Sequence, residues 1–270
     1  MKKNPRAPIG VFDSGLGGLT VFKVLARRMP EESLIYFGDT AHVPYGSKSP
    51  EAIARYSSEV ARFLEKKGIK LLVVACNTSS AWALPVIRRS VKIPVIGVIE
   101  PGARGALGVS RGGRIGIIGT EATVKSGAYE KALRALRKGT LTASAACPLF
   151  VPLVEEGWWS GDVVESVARR YLAPLRRARV DTVILGCTHY PFLKPVLARA
   201  LGARVRLIDS AEETARETQA LLAGLGLRAP RGARGRREFY ASDAPERFKR
   251  LARRMLGAGV AKVGLHQFDS

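Results

Sequence analysis

Two cysteines stand at the ends of two apolar runs of the same design. The first run reads Leu71-Leu72-Val73-Val74-Ala75-Cys76-Asn77-Thr78-Ser79-Ser80; the second reads Val180-Asp181-Thr182-Val183-Ile184-Leu185-Gly186-Cys187-Thr188-His189-Tyr190. Each reads as a buried strand that delivers a thiol and then opens into small hydrogen-bonding residues. Cysteine also serves as plain core filling, but ligands of open α/β sheets bind at the carboxyl ends of strands, where both of these thiols fall. A helix following each cysteine would aim free N–H groups at the sulfur and lower a thiol pKa from its free value of about 8.5. Both Cys76 and Cys187 are therefore expected to work as thiolates.

Two thiols on opposite walls of a cleft suit one chemistry in particular. One thiolate removes a proton from carbon while the other thiol supplies a proton to the opposite face, which inverts a stereocentre. Asp13, Glu155 and His189 are candidates for trimming the two acidities. Ser14, Asn77, Thr78 and Thr188 could hold the carboxylate and ammonium of an amino acid. The plainer alternatives are helix or loop capping for Asp13 and Glu155, and a backbone-satisfied core imidazole for His189.

The elements that must position these groups follow from the pattern. Ile9-Gly10-Val11-Phe12 reads as a first strand, and Asp13-Ser14-Gly15-Leu16-Gly17-Gly18 as a tight loop opening a helix over 19–29, an arrangement that accepts anions. A strand over 33–37 leads through Gly38-Asp39-Thr40 to a polar loop carrying Tyr45 and Gly46. Ser49 and Pro50 start a helix with Ile53, Tyr56, Val60 and Leu64 on its buried face. After Cys76 the pattern predicts a helix over 81–89 and a strand over 93–99.

The chain then begins again, because Arg114-Ile115-Gly116-Ile117-Ile118-Gly119-Thr120 echoes the first strand and its loop. A strand over 141–145 follows. Two prolines, Pro148 and Pro152, predict a constrained loop over 147–157, and Cys147, beside Pro148, is read as structural. Helices over 162–178, 191–201, 211–225 and 244–256, with strands over 205–208 and 238–241, complete the pattern, and the tail is expected to return to the first unit. The fold class is α/β: two similar flavodoxin-like or Rossmann-like domains with mainly parallel sheets and a cleft between them. The expected division is 1–98 with 211–270 for the first domain and 99–210 for the second.

Composition narrows the classes. The 270 residues are 46% hydrophobic, enough for two modest cores. No apolar run spans a bilayer and the start Met1-Lys2-Lys3-Asn4-Pro5 lacks the pattern of a leader, so a cytoplasmic location is expected. Three cysteines without Cys-x-x-Cys spacing predict free thiols and no metal site. The net charge of +21, from 44 basic and 23 acidic residues, raises nucleic acid as a partner. The one local cluster, Arg228, Arg231, Arg234, Arg236 and Arg237, lacks interleaved aromatics and reads better as a solvated loop. A nucleic-acid module would bind with steep salt dependence through that cluster. The glycine turn imitates a dinucleotide fingerprint but has Thr20 where the third glycine belongs, and Asp13 would oppose a pyrophosphate. Walker, His-Glu-x-x-His and Gly-x-Ser-x-Gly patterns do not occur.

Taken together, the segments Ile9 through Gly18, Gly38-Asp39-Thr40 through Pro44-Tyr45-Gly46, Ala75-Cys76-Asn77-Thr78, Val151-Pro152-Leu153-Val154-Glu155 and Gly186-Cys187-Thr188-His189-Tyr190-Pro191 resemble the glutamate racemase family, in the aspartate/glutamate racemase superfamily. The resemblance covers almost the whole chain. It implies cofactor-independent racemization of glutamate to supply D-glutamate for peptidoglycan, in a cytoplasmic homodimer. By it, Cys76 and Cys187 are the acid/base pair, with Asp13 on the Cys76 side and Glu155 and His189 on the Cys187 side. Asp13, Ser14, Tyr45, Gly46, Asn77, Thr78, Thr188 and His189 would line the substrate. Aspartate is the nearest rival substrate, and a pyridoxal Schiff base the rival chemistry. The high positive charge departs from what the family leads one to expect.

Overall fold

A computed structural model describes residues 4–268, with the backbone alone described at Ala258. The opening Met1-Lys2-Lys3 and the last two residues of the expected first domain lie outside that range. The chain opens with β1 (Ile9–Asp13), α1 (Leu19–Arg28), β2 (Leu34–Gly38), α2 (Pro50–Lys66) and β3 (Leu71–Val74), then α3 (Asn77–Trp82), α4 (Leu84–Ser90) and β4 (Val95–Gly97). Next come α5 (Ile99–Val109), β5 (Arg114–Gly119), α6 (Glu121–Ser126), α7 (Ala128–Leu136), β6 (Leu141–Ala146) and α8 (Phe150–Glu155). Then follow α9 (Asp162–Arg177), β7 (Thr182–Gly186), α10 (Lys194–Leu201), β8 (Arg206–Ile208), α11 (Ala211–Leu225), β9 (Arg237–Ala241), α12 (Pro245–Leu256) and β10 (Gly264–Leu265).

Two sheets result, both parallel throughout. The first has the order β10-β9-β2-β1-β3-β4 and the second β6-β5-β7-β8. Each contains the same flavodoxin-type run, with the first strand of the unit between the second and third. The register repeats as well. Ile9 pairs with Leu71 in one sheet and Ile115 with Thr182 in the other, so Cys76 and Cys187 occupy the same place beyond the third strand. By the same count Ser14 corresponds to Thr120. Strands β1, β2, β3 and β7 are buried along their whole length, as expected of parallel strands covered by helices on both faces.

Ser49 caps α2 by accepting from the Ala52 N–H, with Pro50 in the first turn. Ile53, Val60 and Leu64 are buried on that helix, whereas Tyr56 is only half-buried and stacks on His42, with ring centroids 3.9 Å apart. A buried ion pair, Lys70 Nζ to Glu32 Oε2 at 2.5 Å, joins the start of β3 to the chain before β2. It also fastens the ends of the basic loop and the N-terminal stretch, because Lys70 donates to the Pro5 carbonyl and Glu32 accepts from the Ala229 N–H.

Three expectations fail locally. The helix over 81–89 is two: α3 starts at Asn77, directly after Cys76, and α4 is a separate helix with Pro85 in its first turn. The strand over 93–99 shrinks to three residues, and Glu100-Pro101-Gly102 belongs to α5, whose first turn tolerates Pro101 because its N–H would be unpaired there anyway. The same reason lets Pro152 sit in the first turn of α8, so 150–155 is helix and not loop. Cys147 does directly follow a strand, β6. It is nonetheless fully buried in the second core, with its thiol donating to the Ala145 carbonyl at 3.6 Å.

The charge has a structural logic. In parallel sheets every covering helix ends at the amino-terminal edge, where its carbonyl end favours cations. Arg27 and Arg28, Lys66, Arg88 and Arg89, Arg176 and Arg177, and Arg253 and Arg254 all lie in such last turns. Arg228, Arg231, Arg234 and Arg236 are exposed, as a solvated loop requires, while Arg237 is half-buried in β9 and donates to the Glu32 and Pro30 carbonyls.

Candidate active site

The carboxyl ends of the two sheets meet, and the residues found there are those that the cysteine runs and glycine loop led to. Asp13 ends β1 and is fully buried; its Oδ2 accepts from the Gly15 N–H at 3.0 Å, and its Oδ1 accepts from the Thr188 hydroxyl of the other sheet at 3.1 Å. Cys76 ends the β3 run as the N-cap of α3, where its sulfur accepts from the Ser79 N–H at 3.5 Å and its thiol donates to Ser14 Oγ at 3.7 Å. Cys187 Sγ lies 3.7 Å from His189 Nδ1, and His189 Nε2 lies 2.6 Å from Glu155 Oε1 at the end of α8. Cys76 is 4% exposed and Cys187 6%, so both thiols are nearly sealed.

Glycines make the meeting possible. A Cβ on Gly17 would come within 2.4 Å of Thr188 Oγ1 and 2.6 Å of His189 Nδ1, and one on Gly46 within 2.4 Å of Thr120 Cβ. Tyr45 and Gly46 sit in a short 3₁₀ turn, Tyr45–Ser47, held by the Tyr45 hydroxyl donating to buried Asp39 at 2.5 Å. Asp39 also accepts from Ser242 before α12, so the returning tail buttresses this turn. Asn77 accepts through Oδ1 from the Tyr129 hydroxyl at 2.6 Å, and Thr78 Oγ1 lies 3.0 and 3.1 Å from the hydroxyls of Thr120 and Thr123. Every residue expected at the site is thus drawn into one continuous assembly. Thr120 and Thr123 are the additions, and the signal for them was the echo between β1 and β5, which puts Thr120 where the first unit has Ser14.

The electrostatics are unequal on the two sides. Burial, reinforced by the Asp13 charge, pushes the Cys76 thiol up to about 11, against the weaker pull of the Ser79 N–H. The expectation of a helix-stabilised thiolate at Cys76 therefore fails in this closed arrangement: loss of water outweighs one N–H at a six-residue helix. Burial also raises Asp13 above the ordinary carboxylate value, opposed by the His189 charge and by the Gly18, Gly15 and Thr188 hydrogen bonds. For His189, burial alone would favour the neutral ring, but the hydrogen bonds and charges of Cys187 and Glu155 raise it well above the usual histidine value. Glu155 is penalised by burial yet held below its ordinary value by the His189 hydrogen bond and charge, with help from Arg247. A charged imidazole then faces Cys187, while Cys76 is a neutral thiol. Among the described residues no group of three or more His, Cys, Asp or Glu side chains could hold a metal ion.

Two thiols of unlike environment thus stand at the carboxyl ends of the two sheets, one bonded to a hydroxyl and a backbone N–H, the other beside an imidazole paired with a carboxylate. The sequence model of the Asp/Glu/hydantoin racemase family matches residues 17–218, and the chain belongs to that family. It is an amino-acid racemase, and its relatives are glutamate racemases. That of Geobacter metallireducens is 52% identical over 259 residues, covering 96% of each chain. The crystal structure of a Bacillus anthracis glutamate racemase superposes with a TM-score of 0.92 at 39% identity over 98% of both chains. That of Francisella tularensis glutamate racemase, solved in complex with D-glutamate, gives 0.91 at 36% identity over 98% of this chain and 99% of the other.

Proposed function

We propose that the chain interconverts L- and D-glutamate by direct proton transfer at Cα between Cys76 and Cys187, without a cofactor. The equal register of the two cysteines, each at the same place beyond the third strand of its own sheet, is the observation that supports this reading. One thiolate takes the Cα proton as the C–H bond breaks and an S–H bond forms. The other thiol then gives its proton to the opposite face, so no electrons are gained or lost overall. In one direction Cys76, whose thiol burial keeps neutral, is the acid and Cys187 the base; the reverse reaction exchanges the roles. Asp13 tunes Cys76 by its charge, and Glu155 keeps His189 protonated and oriented.

Ser14, Asn77, Thr78 and Thr188, with Tyr45 and Gly46 alongside, would hold the carboxylate and ammonium of the substrate. The two units would be 1–98 with 211–270 and 99–210, opening against each other to admit it. D-Glutamate made in this way would supply peptidoglycan synthesis, with the enzyme working as a cytoplasmic homodimer.

Circular dichroism of L-glutamate, and separately of L-aspartate, mixed with pure enzyme tests the reading. Decay of the glutamate signal to zero is expected in the wild type, with Cys76→Ser and Cys187→Ser each inactive yet folded. Full activity in either variant would sink the two-thiol mechanism. A trace that decays only with aspartate would move the substrate.

A further inference from the structure

Tyr129, on α7, is 1% exposed and takes no part in the chemistry above, yet it touches both cysteine-bearing strand ends. Its ring packs on Gly186, immediately before Cys187, so closely that a Cβ there would lie 3.0 Å from Tyr129 Cε2. A Cβ on Gly102 would meet the Tyr129 hydroxyl at 3.1 Å. The hydroxyl itself crosses to the other sheet and donates to Asn77 Oδ1, immediately after Cys76, at 2.6 Å.

The consequence lies in the shape of an asparagine amide, whose two ends are nearly identical in size and opposite in hydrogen bonding. Asn77 Oδ1 is occupied. Among the described residues, the buried side-chain N and O atoms without a partner are Arg28 Nε and Thr214 Oγ1, so Asn77 Nδ2, which bonds to no protein group, keeps an open side. We propose that Tyr129 is a positioning residue that fixes the amide of Asn77, so that its N–H₂ end, and not its carbonyl, is presented to a substrate carboxylate. This rests on the reading of Asn77 as a substrate ligand. Burial raises the Tyr129 phenol, which keeps its proton available to donate at any working pH. A carboxylate only accepts, so a reversed amide would set oxygen against oxygen.

Tyr129→Phe keeps the ring on Gly186 and removes only the hydroxyl. It should raise KM for glutamate roughly three- to tenfold, the scale of one ordinary hydrogen bond, with kcat within about twofold. In an Asn77→Ala background the same change should add nothing, because the group it orients is gone. An unchanged KM in Tyr129→Phe, or a rise that persists undiminished beside Asn77→Ala, would overturn the proposal. A second readout needs no substrate: the side-chain amide NMR signals of Asn77, assigned by their loss in Asn77→Ala, should move in Tyr129→Phe. If those signals stay put, the locking role is wrong. A wild type that turns over no glutamate would refute the proposed function by itself, leaving the amide signals to decide the role of Tyr129.

Discussion

Gly17→Ala is the smallest change that should separate the two halves of the site. The backbone of Gly17 lies outside the left-handed region, so alanine meets no conformational penalty there and its whole effect comes from one methyl group. That methyl would sit 2.4 Å from Thr188 Oγ1 and 2.6 Å from His189 Nδ1, where ordinary contact begins near 3.4 Å, so the other sheet must retreat by about 1 Å. Both atoms already hold chemistry in place: Thr188 Oγ1 bonds Asp13 at 3.1 Å, and His189 Nδ1 lies 3.7 Å from Cys187 Sγ. Overpacking of this kind costs about 1–3 kcal/mol, and a misplacement of about 1 Å between reacting groups can cost on the order of a hundredfold in rate. We therefore expect a folded protein whose kcat/KM for L-glutamate, followed by circular dichroism, falls by about 100-fold. Gly108→Ala, in α5 where the added methyl would point into open space, is the control and should keep full activity. If Gly17→Ala stays within about threefold of wild type, the two sheets are not held at the separation described.

Two further outcomes follow from the buried charges. Lys70→Met leaves Glu32 ionised without its partner in a nearly water-free site and should cost about 3–5 kcal/mol in urea unfolding; a loss below about 1 kcal/mol would mean that water reaches Glu32. The Glu155–His189 pair sets a pH window. Glu155 is lowered in the fold, so its contribution is present above the ordinary value of 4.5 and is lost as pH falls through the folded value. His189 is raised, so its contribution is full below 6.5 and is lost as pH rises through the folded value. Asp13, raised by burial, runs opposite to Glu155 in acid, so the pair is best read as the Tm difference between wild type and Glu155→Gln. That difference should be largest between 4.5 and 6.5 and shrink on both sides; a difference independent of pH would contradict the pairing.

The sequence revealed the site more fully than it revealed the local structure around it. Strand-end cysteines, the glycine loop and the repeated β1 and β5 patterns are set by side-chain type and period, which survive without knowledge of tertiary contacts. Pro152 misled because proline signals a break only inside a helix, and it sits in a first turn, a distinction that depends on where the helix starts. The acidity of Cys76 was misread for a different reason. A helix N-terminus is visible in the sequence, but the desolvation that overrides it comes from burial of the thiol in the folded core, which only the tertiary structure supplies. Thr120 and Thr123 escaped notice because a threonine after a strand is common, although the echo of β1 in β5 already sets Thr120 at the Ser14 position, as the register of β5 against β7 also does.

Exposures of 4% and 6% at Cys76 and Cys187 bear on how any added reagent would behave. On the proposal that the two units open to admit substrate, an alkylating agent would meet each sulfur mainly in the open form, and its rate would report how often the sheets part more than how nucleophilic the thiols are. When closing outpaces the reagent, the rate is the opening equilibrium multiplied by intrinsic reactivity and rises linearly with concentration. When the reagent is fast, the rate levels off at the opening step itself. On that same proposal the two cysteines would time the opening of the cleft, and the plateau would be an upper bound on the number of substrate molecules admitted per second.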